Sequence, residues 1–172
     1  LYFYSEEKEK SMDRSETLVL AARERLTGEI IHLLQSGTDP NSQDSKGRTA
    51  LEVAVLLKDK EIAEILLEKG ADPDLPGSRQ ITALSITAEH NDLSMAYLLI
   101  ESGADAAIRN PTGSTALHEA AYAGNLEMAE LLISNGADPS TRTPEGDTAT
   151  DWARRTGHIS VAIYLERSIK KV

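Results

Sequence analysis

Threonine recurs at Thr49, Thr82, Thr115 and Thr148, each 33 residues after the last. Glycine keeps the same period at Gly37, Gly70, Gly103 and Gly136. Two residue types with different backbone uses share one spacing, so the spacing belongs to a structural unit. A period of this length marks a stack of like supersecondary units. Such a chain builds no single globular core, because each unit packs mainly on its neighbours.

The unit that starts near Pro111 shows the pattern best. Leu117, Ala120 and Ala121 fall at i, i+3 and i+4, one face of a short helix. Met128, Leu131 and Leu132 do the same for a second helix. Thr115 is placed to cap the first helix and Asn125 the second. Gly136 suits the left-handed position that ends a helix, where a Cβ would clash. Asp59 and Asp92 take the place of Asn125 in earlier units, and Thr49 has Glu52 three residues on, a capping box. The second-helix apolar sets are Ile62, Ile65 and Leu66, then Met95, Leu98 and Leu99. Helices this short are not stable alone. Each must bury its apolar face on a neighbour, at about 1.5–3 kcal/mol per large aliphatic side chain.

This pattern resembles the ankyrin repeat, an all-α solenoid of helix-turn-helix units joined by hairpin-like loops. Thr115-Ala-Leu-His118 is similar to its Thr-Pro-Leu-His signature, with Ala116 in place of proline. Gly70-Ala-Asp72 and Gly136-Ala-Asp138 resemble its loop signature. The resemblance runs from about Ser15 to about Ser168 and implies five units, roughly 13–45, 46–78, 79–111, 112–144 and 145–172. It also implies that His118 bonds neighbouring backbone and holds the loop.

Departures mark the ends and one interior loop. In the first unit Glu29 to Gly37 is one residue shorter than Glu127 to Gly136, so the second helix is expected to lack a residue and shift its apolar phase. In the last unit Thr150 replaces the core leucine of Leu51, Leu84 and Leu117. Its second helix ends in Glu166, Arg167, Lys170 and Lys171, a polar end of the kind terminal repeats need. In the interior, Gln80 aligns with Gly47, Gly113 and Gly146. A hairpin needing φ > 0 there strains glutamine. Pro76-Gly77 just upstream offers a type II turn instead, so this loop is expected to be reshaped, unless the change is neutral drift. Residues 1–12 read as a disordered or tag-derived segment, or as a native ragged end, ahead of a repeat domain over 13–172.

No catalytic, cofactor or metal motif stands out. There is no Gly-rich phosphate loop, no nucleophile elbow and no metal-spaced histidine pair. His32, His90, His118 and His158 are scattered. Cysteine is absent, which excludes disulfides and thiolate metal sites. No run is long enough for a membrane-spanning helix, and no secretory leader is expected. A net charge of −10 argues against nucleic acid, which wants a basic face, and suits a partner of basic character.

Arrays of the resembled family bind proteins through loop tips and first helices, which line a concave groove. Carried over by register, this implies Lys46 and Arg48, then Arg79 and Ile81, at the tips. On the helices it implies Val53, Leu56 and Leu57, then Ile86, Glu89 and His90, then Glu119 and Tyr122, then Trp152 and Arg155. Trp and Tyr are frequent binding anchors. An apolar strip of Leu56, Leu57, Ile81 and Tyr122 beside Arg48 and Arg79 suggests a partner segment that is apolar with acidic flanks. The alternative for Leu56, Leu57 and Trp152 is packing between helices. The expectation is a monomeric interaction module of scaffold or adaptor type, cytoplasmic or nuclear, without catalysis. The rival readings are a regulatory or targeting domain of a larger enzyme or channel, and a structural spacer.

Overall fold

The computed structural model describes residues 14–169. The reading of residues 1–12, and Lys170 and Lys171 of the expected polar end, lie outside them. Ten helices occur among the described residues, with no strand. They alternate as first and second helices of five units: α1 Arg14–Arg23, α2 Thr27–Gln35, α3 Ala50–Leu56, α4 Lys60–Glu68, α5 Ala83–His90, α6 Leu93–Glu101, α7 Ala116–Ala123, α8 Leu126–Ser134, α9 Ala149–Arg155 and α10 Ile159–Ile169. Successive first helices pack on each other from α1 to α9, and each also packs on its own second helix.

Local chemistry sets the helix ends. Thr49, Thr82 and Thr148 precede α3, α5 and α9 in extended backbone, and their hydroxyls accept the N–H three residues on. Asp59 and Asp92 cap α4 and α6 in the same way, through Ile62 N–H and Met95 N–H. Gly70 and Gly136 follow the C-termini of α4 and α8 at φ 91° and 99°. There the Ala71 and Ala137 N–H groups bond back to Leu66 and Leu132. Leu51, Leu84 and Leu117 are buried, as are Ile62 and Leu66, Met95 and Leu99, and Met128 and Leu132. Thr150 is buried at the leucine position, and its hydroxyl has no hydrogen-bond partner.

Five expectations change. First, α2 has nine residues, as do α4, α6 and α8. Gly37 closes it in the usual place, so Glu29 stands where α8 has Met128, not Glu127. Glu29 is exposed, and only Ile30 and Leu33 of α2 are buried. Second, Asn125 does not cap α8 with its side chain. Its amide donates to the Ala88 carbonyl of the unit before, at 2.9 Å. Third, Glu52 does not return the capping-box bond. Its buried carboxylate accepts from the N–H and hydroxyl of Ser78 at 3.0 and 2.9 Å.

Fourth, the loop before α5 is not reshaped. Gln80 takes φ 58°, in the left-handed region, and Gly77 is not in that region. The hairpin keeps the backbone bonds of its equivalents, Gln80 N–H to Gly77 O and Gly77 N–H to Ile81 O. Fifth, Arg167 near the end of α10 is exposed as expected, but the helix also leaves apolar residues outside. Ile159, Ile163 and Ile169 are exposed, while Glu166 turns back to Arg154.

Side chains also join adjacent loops. The Asn41 carboxamide accepts from Asp72 N–H at 2.7 Å and donates to Gly70 O at 3.1 Å. Asp74 repeats the first bond to Asp105 N–H, at 3.0 Å. The next equivalent is Ala107, which has no acceptor to offer.

Candidate protein-binding face

Four first helices, the hairpins that lead into them and Leu57 at the C-terminus of α3 carry every site residue expected from the sequence. Their exposure follows helix phase. Val53 and Ile86 occupy equivalent positions on α3 and α5, and both are buried. They belong to the core between helices and drop out of the candidate face. The same position is Glu119 on α7 and Trp152 on α9, and these two are half-buried. One turn further, Leu56, Glu89, Tyr122 and Arg155 stand at equivalent positions in four successive units. Leu56 and Tyr122 are 44% and 58% exposed, so both are open to a partner. Leu57 and Ile81 are half-buried against the core. His90 is exposed, but its ring Nδ1 lies 2.9 Å from Ile86 O.

The expected continuous apolar strip is therefore interrupted. Leu56 and Tyr122 are separated by the Glu89 unit, and Glu89 is paired with Arg79 at 2.8 Å. Only Tyr122 and Trp152 come together, with ring centroids 6.1 Å apart and planes at 76°. Trp152 also stands edge-on to His118, at 5.2 Å and 75°. Edge-to-face geometry of this kind is favourable beyond area burial. Beside this ring pair, lined by Tyr122, Trp152, Arg155 and Thr156, lies a shallow cavity of about 150 Å³.

His118 holds this arrangement from below. Its ring Nδ1 is 3.0 Å from the Thr115 hydroxyl, and its Nε2 is 3.4 Å from Asp147 O in the next hairpin. Burial pushes its pKa down, so the neutral ring is favoured. The backing of Trp152 by His118 was not readable from the sequence, because Trp152 comes from the following unit.

The charges are arranged differently from the expectation. Arg48 is tied to the buried carboxylate of Asp44 at 2.5 Å, within its own hairpin. Burial raises the pKa of Asp44, but the hydrogen bonds from Arg48 and Lys46 outweigh that and hold it below the usual carboxylate range. Arg155 is tied to Asp147 at 2.5 Å. Among the described residues Lys46 makes no ion pair. Glu119 makes none either; it accepts the Ser114 hydroxyl at 3.0 Å. Burial pushes its carboxyl above the ordinary range, helped by the like charge of Glu89 and opposed by the Ser114 bond and Arg79.

No group of His, Asp and Glu among the described residues is arranged to hold a metal ion. No helix there is long and apolar enough to cross a membrane. No curated protein sequence matches this chain. The family profile described as ankyrin repeats, in three copies, matches residues 3–77 and 84–171. Ankyrin repeats are generally protein–protein interaction modules and typically non-catalytic. With its period of 33, its paired helices and this match over most of its length, the chain belongs to the ankyrin-repeat family.

Proposed function

We propose that this chain is a protein-interaction module that receives a partner segment on the side formed by its first helices and hairpin tips, and performs no chemistry itself. One observation carries the reading. Tyr122 is a large aromatic residue left mostly exposed, beside a half-buried tryptophan and a cavity the two rings share. Exposed aromatic anchors next to a preformed pocket are what interface hot spots are made of. Leu56 offers a second anchor two units away, and Lys46 a cation at the tip before it. The acidic flanks expected of the partner have lost their main support, since Arg48 and Arg79 already hold carboxylates of this chain.

The test uses a partner recovered from source lysate and confirmed with purified components. Leu56→Ser with Tyr122→Ala should weaken binding at least about tenfold while the array stays folded. Glu64→Ala with Glu130→Ala, exposed on the second helices, should leave it unchanged. The opposite pattern would move the interface to the second-helix side.

A further inference from the structure

Glu119 stands out within its column. The equivalents before it are Val53 and Ile86, both buried and apolar, and the one after it is Trp152. A carboxylate among such neighbours is disfavoured unless a cation meets it. None of the described cations does so. Arg79 acts on Glu119 through space but is bonded to Glu89, and Arg155, on the cavity wall, is bonded to Asp147. Arg79 and Arg155 are thus neutralised from within, whereas Glu119 is not. Glu145, exposed at the tip of the hairpin that enters α9, is a second carboxylate without an ion pair.

The aromatic cavity is lined by two residues that neighbour Glu119 by register. Tyr122 is three residues on, one turn along the same helix, and Trp152 holds the same position in the next unit. Glu119 therefore has one aromatic ring a turn along its own helix and another at the equivalent position of the next unit. Ring faces attract cations, so carboxylate and rings favour the same visitor. The chain as a whole carries a net charge of −10, which draws a basic partner at long range.

We infer that the segment bound on this face is basic and apolar: a lysine or arginine of the partner pairs with Glu119, and an adjacent apolar side chain fills the cavity lined by Tyr122 and Trp152. The inference rests on the first-helix reading given above and reverses the acidic flanks that the sequence suggested. The guanidinium of Arg155, occupied by Asp147, forms one wall and does not contribute a free charge.

Trp152 is the chain's single tryptophan, so its fluorescence reports on this cavity alone. The probes are short Gly/Ser peptides carrying one phenylalanine and one lysine, at every separation from adjacent to one helical turn. A matched set carries glutamate for lysine. At low salt the best lysine peptide should perturb Trp152 emission and bind at least about tenfold tighter than its glutamate counterpart. Glu119→Gln should remove most of that preference, and Tyr122→Ala should weaken both sets. Glu64→Gln with Glu130→Gln should change neither.

Glutamate peptides that bind as well as lysine peptides, yet still depend on Tyr122, would overturn the basic partner and leave the first-helix face standing. Lysine peptides lost with the Glu64 and Glu130 changes, but not with Tyr122→Ala, would overturn the face itself. Failure of every lysine peptide to bind at about millimolar concentration would also overturn the inference.

Discussion

The hairpin leading into α5 and the hairpin leading into α7 share a backbone and are held in different ways. In the later one, Asn110 N–H bonds to Ser114 O at 2.9 Å and Gly113 N–H to Asn110 O at 2.8 Å. The Asn110 carboxamide then accepts Thr112 N–H and Ser114 N–H from inside the loop. In the earlier one, the residue at Asn110's place is Gly77, which has no side chain. Glu52 supplies a carboxylate from α3 of the unit before and holds Ser78 instead. The left-handed residue is Gly113 in one and Gln80 in the other, at φ 77° and 58°. His118 reaches onward to the next hairpin, whereas the hydroxyl of its equivalent Ser85 stays with Thr82 at 3.2 Å. A cleft of about 290 Å³, lined by Ser85, Gln80 and Asn110 among others, opens between the two hairpins. Backbone exchange sets the hairpin, and the side chain that secures it can come from the loop itself or from a neighbouring unit.

That comparison assumes that the helices behind the two hairpins are equally well packed. Leu84→Ala and Leu117→Ala should each cost about 2–5 kcal/mol, since both remove a buried leucine and leave a cavity. A large inequality in urea midpoints would show that the difference lies in the core and not in the loops.

The next effect separates the two ways of holding the loop. Glu52→Ala should cost about 1.5–3 kcal/mol by removing the hydrogen bonds that its carboxylate accepts from Ser78. Gly77→Ala should act through the same contact, because its Cβ would lie 2.3 Å from the Glu52 carboxyl carbon and push it off Ser78. The double variant should therefore be less destabilised than the sum of the singles. Additive losses would break the proposed link between Glu52 and this hairpin.

A smaller effect has opposite sign in the two loops. Gln80→Gly should stabilise by about 0.5–1 kcal/mol, because a left-handed residue with a Cβ is strained. Gly113→Ala should destabilise, since its φ is also positive and its Cβ would meet Pro144 Cδ at 2.5 Å. Thermal melts of both variants check the signs.

The smallest effect is on the binding face. A carboxyl whose folded pKa is raised favours the fold when protonated. Glu119's share of stability is therefore present below the ordinary carboxylate range and lost as pH rises through its raised value. Glu119→Gln should melt slightly higher than the native chain at neutral pH, and the gap should close below about pH 4. A gap that grows on acidification would contradict a half-buried carboxylate without an ion pair.

What the sequence disclosed and what it hid divide along contact distance. Thr49, Asp59, Asp92 and Thr148 act within three residues, and their capping roles were legible from spacing. Glu52 and Asn125 satisfy the same local spacing rule, yet their partners lie 26 and 37 residues away. A rule that sees one unit at a time assigns them to their own helices. The face was misread for a related reason. Arg48 and Arg79 were counted as free charges, although Asp44 lies four residues from one and Glu89 ten from the other. Val53 and Ile86 are buried although register puts them on the face, because register gives a position in the repeat and not the depth to which a side chain sinks between stacked helices. Trp152 was open between groove and core, and it lies half-buried at the edge of both.

Amide hydrogen exchange on the array with and without a bound partner tests the central claim directly. New protection is expected along α3, α5, α7 and α9 and at the hairpin tips before them, strongest near Tyr122 and Trp152. Protection confined to α4, α6, α8 and α10, with the first helices unchanged, would contradict it.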